Sequence, residues 1–469
     1  MSVAIWWIRR DLRLNDNQAL DAAFKAANFI IPIFILDPKL IKSAWVGEKR
    51  LAFLYSGLRA LDKDLRARGA SLLIRHGDPE VVLAQLVHET GAERVFAEAD
   101  VSPFANTRDQ RVAQSVPLTL TPGLTAYLPE SLLKSDGNPY TIFTPFSKNW
   151  LSHPDLGNPT TAPEHISMLA GVQGEDIPDQ PRLPDSVPFV AGEREGLRRL
   201  DIFTGGLIAP VYHYASNRDR MDLEGTSGLS PYLRFGMVSM RQAIMAARDA
   251  EARLPINGSG RGAEIWLIEL IWREFYAYIL KLFPSVRSQS FRSALRQIAW
   301  RNDREEFAAW AEGSTGYPIV DAAMRQMNQT GWMHNRARMI VASFLTKDLL
   351  VDWRWGERYF MQHLIDGDVA SNNGGWQWTA GTGTDAAPYF RVFNPVLQGM
   401  KFDPMGIYIR RNVPELVDVP NEFIHEPWKM PDSILKQTAC LIGKKYPAPI
   451  VDHRMARERA LHIYKSGER

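Results

Sequence analysis

Along roughly the first 125 residues, short apolar or β-branched runs alternate with segments of helical spacing. The runs are Val3–Ile8, Phe29–Leu36, Ser71–Arg75, Arg94–Ala99 and Leu118–Thr121. Between them lie Asn17–Ala27, Glu48–Arg68, Pro79–Glu89 and Thr107–Val116. Strands that take turns with helices predict a parallel sheet with right-handed crossovers, an open doubly wound α/β domain. From Pro129 to Val190 the pattern dissolves into Pro, Gly, Ser, Asn and Asp, and a long surface connector is expected, with one short helix over Pro145–Leu151. Beyond Gly192 helical spacing dominates nearly to the end, so the second part is predicted mainly all-α. These shifts place an α/β domain at 1–128, a connector at 129–192 and a helical domain at 193–469.

Three helical stretches carry polar chemistry on one face. In Trp266–Leu280, WLIELIWREFYAYIL, helical spacing puts Glu269, Trp272, Arg273 and Tyr276 together and Ile268, Ile271, Phe275 and Ile279 on a face expected to be buried. An aromatic beside a carboxylate suits stacking on a nucleobase and hydrogen bonding to its edge; an ion-pair helix with core aromatics has the same spacing. In Trp332–Phe344, Asn335, Met339 and Ala342/Ser343 share a face flanked by Arg336 and Arg338. Thr226–Ser230, TSGLS, precedes an amphipathic segment Pro231–Arg241; its hydroxyls fit a phosphate seat or a helix N-cap.

The stretch Gly331–Trp378 joins Trp332, Trp353, Trp355, Trp376 and Trp378 to Asp366, Asp368, Asn372 and Asn373. That mixture suits the wall of a pocket for a large flat ligand with polar edges, and equally a tryptophan-rich core with a satisfied polar network. Charged residues just past three predicted strands, Arg9, Arg10, Asp11, Asp37 and Asp100, are placed to line a crevice at the carboxyl ends of the sheet. Arg391, Lys401, Arg410 and Arg411 alternate with Phe393, Phe402 and Tyr408, as on a nucleic-acid backbone or a solvated face.

Composition narrows the classes. A chain of 469 residues has room for two or three domains, and Lys+Arg of 55 against Asp+Glu of 53 confines any nucleic-acid surface to a local patch. Cys440 stands alone, which removes disulfide frameworks and Cys-based metal sites. MSVAIWWIRRDLRL has no secretory pattern, and no later stretch is apolar for about 18 residues, so a cytoplasmic, non-membrane protein is expected. There is no G-x-G-x-x-G after the first strand, no phosphate-binding P-loop, no H-E-x-x-H and no G-x-S-x-G. Asp366 and Asp368 lack a third ligand at metal spacing, so no metal site is expected.

The motifs WWIRRDLRL, TSGLSPYLRFG, ELIWREFY, TGYPIVDAAMRQMNQTGWMHNRARMIVASFLTKDL, DGDVASNNGGWQW and RVFNPVLQGMKFD resemble the photolyase/cryptochrome family nearly end to end, and most of all its class I cyclobutane pyrimidine dimer (CPD) photolyases. The resemblance implies light-dependent repair of UV-damaged DNA by electron transfer from excited reduced FAD to a flipped-out dimer, in a protein expected to be monomeric. It implies FAD contacts from Tyr214, Thr226, Ser227, Leu229, Ser230, Trp266, Glu269, Arg273, Asn335, Arg338, Asp366, Asp368 and Asn372, the last beside the flavin N5. Glu269, Trp272, Asn335, Met339 and Trp378 match the contacts to the dimer. Trp376, Trp353 and Trp300 match a path that feeds electrons to the flavin, and Arg218, Arg273, Arg336, Arg391 and Lys401 match contacts to DNA. Asp37, Arg50 and Asp100 match positions that hold a deazaflavin antenna (8-HDF); Arg234 stands where a lysine is expected, and a methenyltetrahydrofolate antenna is the alternative. The rival reading is a cryptochrome-type blue-light photoreceptor without repair. Asn372, the Asn335/Arg336/Met339 set and the short tail after PAPIVDH favour the repair enzyme.

Overall fold

The computed structural model describes residues 2–253, 261–438 and 440–467. Five strands, β1 (Val3–Ile8), β2 (Phe29–Leu36), β3 (Leu73–His76), β4 (Arg94–Glu98) and β5 (Leu118–Thr121), form one parallel sheet in the order β3-β2-β1-β4-β5. Ile5 pairs with Ile31 on one side and with Val95 on the other, so β1 is central and all six of its residues are buried. A run apolar on both faces is what a sheet covered by helices on both sides requires. One face packs Val3, Ile5, Trp7, Ile31 and Ile33 against Leu83 and Leu86 of the helix Pro79–Thr90 and Val112 of the helix Pro103–Ser115.

Several expected boundaries shift, each for a local reason. The third strand begins at Leu73 because the amides of Ser71 and Leu72 are spent on Met168 Sδ and Asp62 Oδ1. The helix expected over Thr107–Val116 starts at Pro103, behind the N-cap Ser102, whose hydroxyl accepts from the Ala105 amide. The single amphipathic segment expected over Pro231–Arg241 is two helices, Ser230–Phe235 and Met240–Ala252. Gly236 between them has φ +63°, and a Cβ there would overlap the Arg10 carbonyl oxygen.

By chain packing the structure divides into two compact units. One takes in residues 1–215, 227–284 and 365–370; the other takes in residues 216–226, 285–364 and 371–469. Among its described residues the regular elements of the second unit are all helical, apart from one isolated bridge, and its core gathers Trp310, Met324, Met327, Trp353, Phe360 and Trp376. A π-helical turn, Phe344–Asp348, follows the helix Asn335–Ser343 and buries Lys347, whose Nζ donates to Ala380 O at 2.9 Å.

Candidate cofactor and lesion site

In the first unit, the helix Gly262–Leu282 sets its expected polar face half-buried: Glu269, Trp272, Arg273 and Tyr276. Ile271, Phe275 and Ile279 are buried as expected, while Ile268 is only half-buried. Phe143, at the start of the helix Phe143–Leu151, stacks on Trp272 with centroids 3.7 Å apart and planes 6° from parallel. One face of the indole is thereby fixed by a neighbour, which holds the ring at a set angle. Arg273 donates to Leu233 O at 3.0 Å and Leu124 O at 3.5 Å, and burial lowers its pKa. Tyr214 and Trp266 come together around Phe203, at 5.9 and 5.1 Å and both edge-on.

Sequence reasoning passed over Glu274 on the buried side of this helix. It is 2 % exposed, and its carboxyl accepts from the Ala126 amide at 3.0 and 3.1 Å and from Trp150 Nε1 at 3.5 Å. Burial, against those hydrogen bonds and Arg273, pushes its pKa up to about 7. Glu274 lies inside the quoted ELIWREFY motif, and a carboxylate on the apolar face of that helix was the signal.

The TSGLS hydroxyls make no side-chain cap at the helix Ser230–Phe235, whose N-cap is Leu229; Ser227 Oγ instead accepts from the Leu229 amide at 3.4 Å. The N-cap reading of the motif therefore fails.

Asp366 and Asp368 are buried in the loop before the helix Val369–Ala380. Arg10 pairs with Asp368 and, at 3.5 Å, with Asp100. Burial pulls the Arg10 guanidinium down, but the two carboxylates carry it above its ordinary value. Arg234 Nε donates to Gly367 O at 2.7 Å, and a Cβ on Gly367 would stand 2.5 Å from Arg50 Nη2. Three of the four antenna candidates, Arg50, Asp100 and Arg234, thus share one network with Asp366 and Asp368. The fourth, Asp37, accepts from the Lys39 amide at 2.8 Å as the N-cap of a short helix.

In the second unit His334 caps the helix Asn335–Ser343, its Nδ1 accepting from the Arg336 amide at 3.1 Å, and burial lowers its pKa to about 4. The ring is neutral, with its proton on Nε2. Asn335 is exposed and Met339, one turn on, half-buried. Arg336 pairs with Asp219 at 2.8 Å and lies over the Phe402 ring at 4.5 Å; Arg338 Nε donates to Met333 O at 2.9 Å. Asn372 Nδ2 donates to Glu357 O at 2.9 Å, which fixes the orientation of the amide. Glu357, another buried carboxylate that sequence reasoning missed, pairs with Arg287 at 3.0 Å, and burial raises its pKa to about 7.

Trp376 and Trp353 are buried in one core cluster and Trp300, half-buried, packs against it. Trp376 is packed edge-on against Phe360 at 4.9 Å and Trp310 at 6.1 Å, and a Cβ on Gly356 would overlap its ring. Trp378 is half-buried. Trp355 meets Phe307 edge-on at 5.2 Å and packs on the core. Trp332 stands edge-on to His334 at 6.4 Å. Arg391 and Lys401 are exposed and Arg218 is half-buried, whereas Arg410 is tied to Val419 O at 2.6 Å and Asn421 Oδ1 at 2.8 Å. Among the described residues no group of histidines, cysteines and carboxylates is arranged to hold a metal, and no helix is long and apolar enough to cross a membrane.

Two family models match the chain: DNA photolyase over residues 4–164 and the FAD binding domain of DNA photolyase over 266–466. A deoxyribodipyrimidine photo-lyase of Synechococcus sp. is 40% identical, over 98% of this chain and 96% of its own. A bacterial class III photolyase from Agrobacterium tumefaciens superposes with a TM-score of 0.93 at 37% identity, covering 100% of this chain and 98% of its own. A cryptochrome from Synechocystis superposes at 0.91 with 29% identity over 99% of each chain. With both the sheet and the helical part matched, and a relative this similar along nearly its whole length, the chain belongs to the DNA photolyase family.

Proposed function

We propose that the protein repairs cyclobutane pyrimidine dimers in DNA when illuminated, using FAD. The observation that carries this reading is the polar face of the helix Gly262–Leu282, where a half-buried carboxylate, Glu269, and an indole held flat by Phe143, Trp272, stand one turn apart. A dimer pairs and stacks poorly, so turning it out of the duplex costs less than turning out normal bases, and an ordered aromatic face receives it. Asn335, Met339 and Trp378 complete the contacts to the lesion in this proposal.

The groups present fit a flavin dinucleotide. Hydroxyls at Thr226, Ser227 and Ser230 that cap no helix suit phosphates, with Leu229, Tyr214 and Trp266 beside them. Arg338, Asp366, Asp368, Glu269, Arg273 and Asn335 would supply ring-edge and ribose partners, and Asn372, whose amide nitrogen is held by Glu357 O, would offer its oxygen to the flavin N5. When bound, reduced and excited by blue light, the flavin supplies one electron to the dimer and recovers it after the ring splits. Glu269, with its carboxyl protonated in the closed site, donates a hydrogen bond to the dimer as negative charge grows on it. Trp376, Trp353 and Trp300 relay electrons inward from the surface. Arg218, Arg273, Arg336, Arg391 and Lys401 meet phosphates. Arg273 and Arg336 do so with hydrogen bonds or an ion pair already made inside the chain, which orders them.

The same proposal assigns an antenna domain to 1–128, a connector to 129–192 and the FAD- and DNA-binding domain to 193–469, in a cytoplasmic monomer. An 8-HDF antenna is favoured over methenyltetrahydrofolate, and the absorption spectrum of the purified protein distinguishes them. The likeness to a cryptochrome supports a second reading, a photoreceptor without repair. The test is repair of a dimer-containing oligonucleotide with and without blue light: light-dependent loss of the dimer is expected, and no repair under light contradicts the proposal.

A further inference from the structure

We infer that Arg50 and Arg234, together with Arg10, are positioning residues that clamp the segment Ile365–Ala370 and so aim Asp366 and Asp368. The inference rests on the proposed assignment of those two carboxylates to the flavin. Its observations are contacts within the protein itself, and all of these residues lie in one compact unit.

A six-residue loop with two buried carboxylates needs partners for its charge and its carbonyls. Arg234 supplies one through Nε on Gly367 O at 2.7 Å. Arg10 supplies another by bridging Asp368 and Asp100. Arg50 lies against Gly367 so closely that any side chain at that position would push its guanidinium away, and its charge is drawn to Asp366 and Asp368. Three guanidinium groups therefore hold the loop and its carboxylates, and a fourth, Arg273, also bears on Asp368. Burial, with crowding by Arg10 and Arg50, lowers Arg234 to about 9, and burial lowers Arg50 to about 10 against the pull of Asp366 and Asp368, so both remain charged at neutral pH.

Hydrogen exchange on the full-length protein, with FAD titrated in parallel, tests the clamp. In Arg234→Gln and Arg50→Gln the amides of residues 365–370 are expected to exchange about tenfold faster while β1 and β4 keep their protection. FAD is expected to bind about tenfold more weakly as the carboxylates lose their aim. Arg234→Lys, which keeps a cation and a donor for Gly367 O, is expected to restore both. Gly367→Ala, which displaces Arg50 without altering its charge, is expected to loosen the same amides, and it decides the matter if the glutamine variants do not fold. Unchanged exchange at 365–370 overturns the clamp, whether or not an antenna band is lost. Faster exchange with unchanged FAD affinity leaves the clamp standing and removes Asp366 and Asp368 from the flavin contacts.

Discussion

Glu274 places a carboxyl on the buried side of the helix that presents Glu269 and Trp272, and there it pins Ala126 and Trp150. Its pKa is raised from 4.5 to about 7 by burial. A carboxyl raised on folding lends its full stability below the unfolded value and loses it as pH rises through the folded one. Stability is therefore expected to fall by up to about 3 kcal/mol between pH 4.5 and 7.5 on account of this group. Glu274→Gln keeps an acceptor for the amide and is expected to flatten that slope in denaturant titrations; an unchanged slope contradicts the assignment. At Glu269 the expectation concerns chemistry. Removing a hydrogen bond to a growing charge costs roughly 1.5–3 kcal/mol, so Glu269→Leu is expected to lower the quantum yield of repair by about tenfold or more with the fold intact. A yield equal to that of the parent would remove Glu269 from the reaction.

At the scale of elements, the joint between the helices Ser230–Phe235 and Met240–Ala252 depends on Gly236. Alanine there meets both a left-handed backbone and the Arg10 carbonyl, and a loss of about 1–3 kcal/mol is expected in thermal or urea unfolding. Trp376→Phe is expected to abolish light-driven reduction of the flavin while leaving repair by chemically reduced protein intact; single-turnover assays on both forms check it. The elements themselves were largely legible. β1 and β2 match their apolar runs, because buried parallel strands need such runs, and the parallel order follows from the helices between them. One misplaced edge was decided by side chains outside the strand, where Asp62 and Met168 take the amides before β3. Other misplaced edges had local signals given too little weight: Gly236 within an amphipathic run, and Ser102-Pro103 ahead of a helix.

Across the whole molecule, the candidate site residues were legible as motifs, and what the motifs conceal is their partners. Nothing local says that Arg10 meets Asp368, that Phe143 backs Trp272, or that Arg336 is already paired with Asp219, since each contact joins segments more than a hundred residues apart. Those partners are what turn a set of matching residues into a fixed arrangement, and a fixed arrangement is what electron transfer to a flipped-out lesion requires. The central claim is that the purified protein, supplied with FAD and kept reduced, splits a cyclobutane pyrimidine dimer when lit. The direct measurement is the dimer content of an oligonucleotide carrying that lesion, and of a second carrying a (6-4) photoproduct, after incubation in blue light and in darkness. Loss of the cyclobutane dimer under light alone, with the (6-4) lesion untouched, is the predicted result. Repair in the dark, or none in the light, would contradict it.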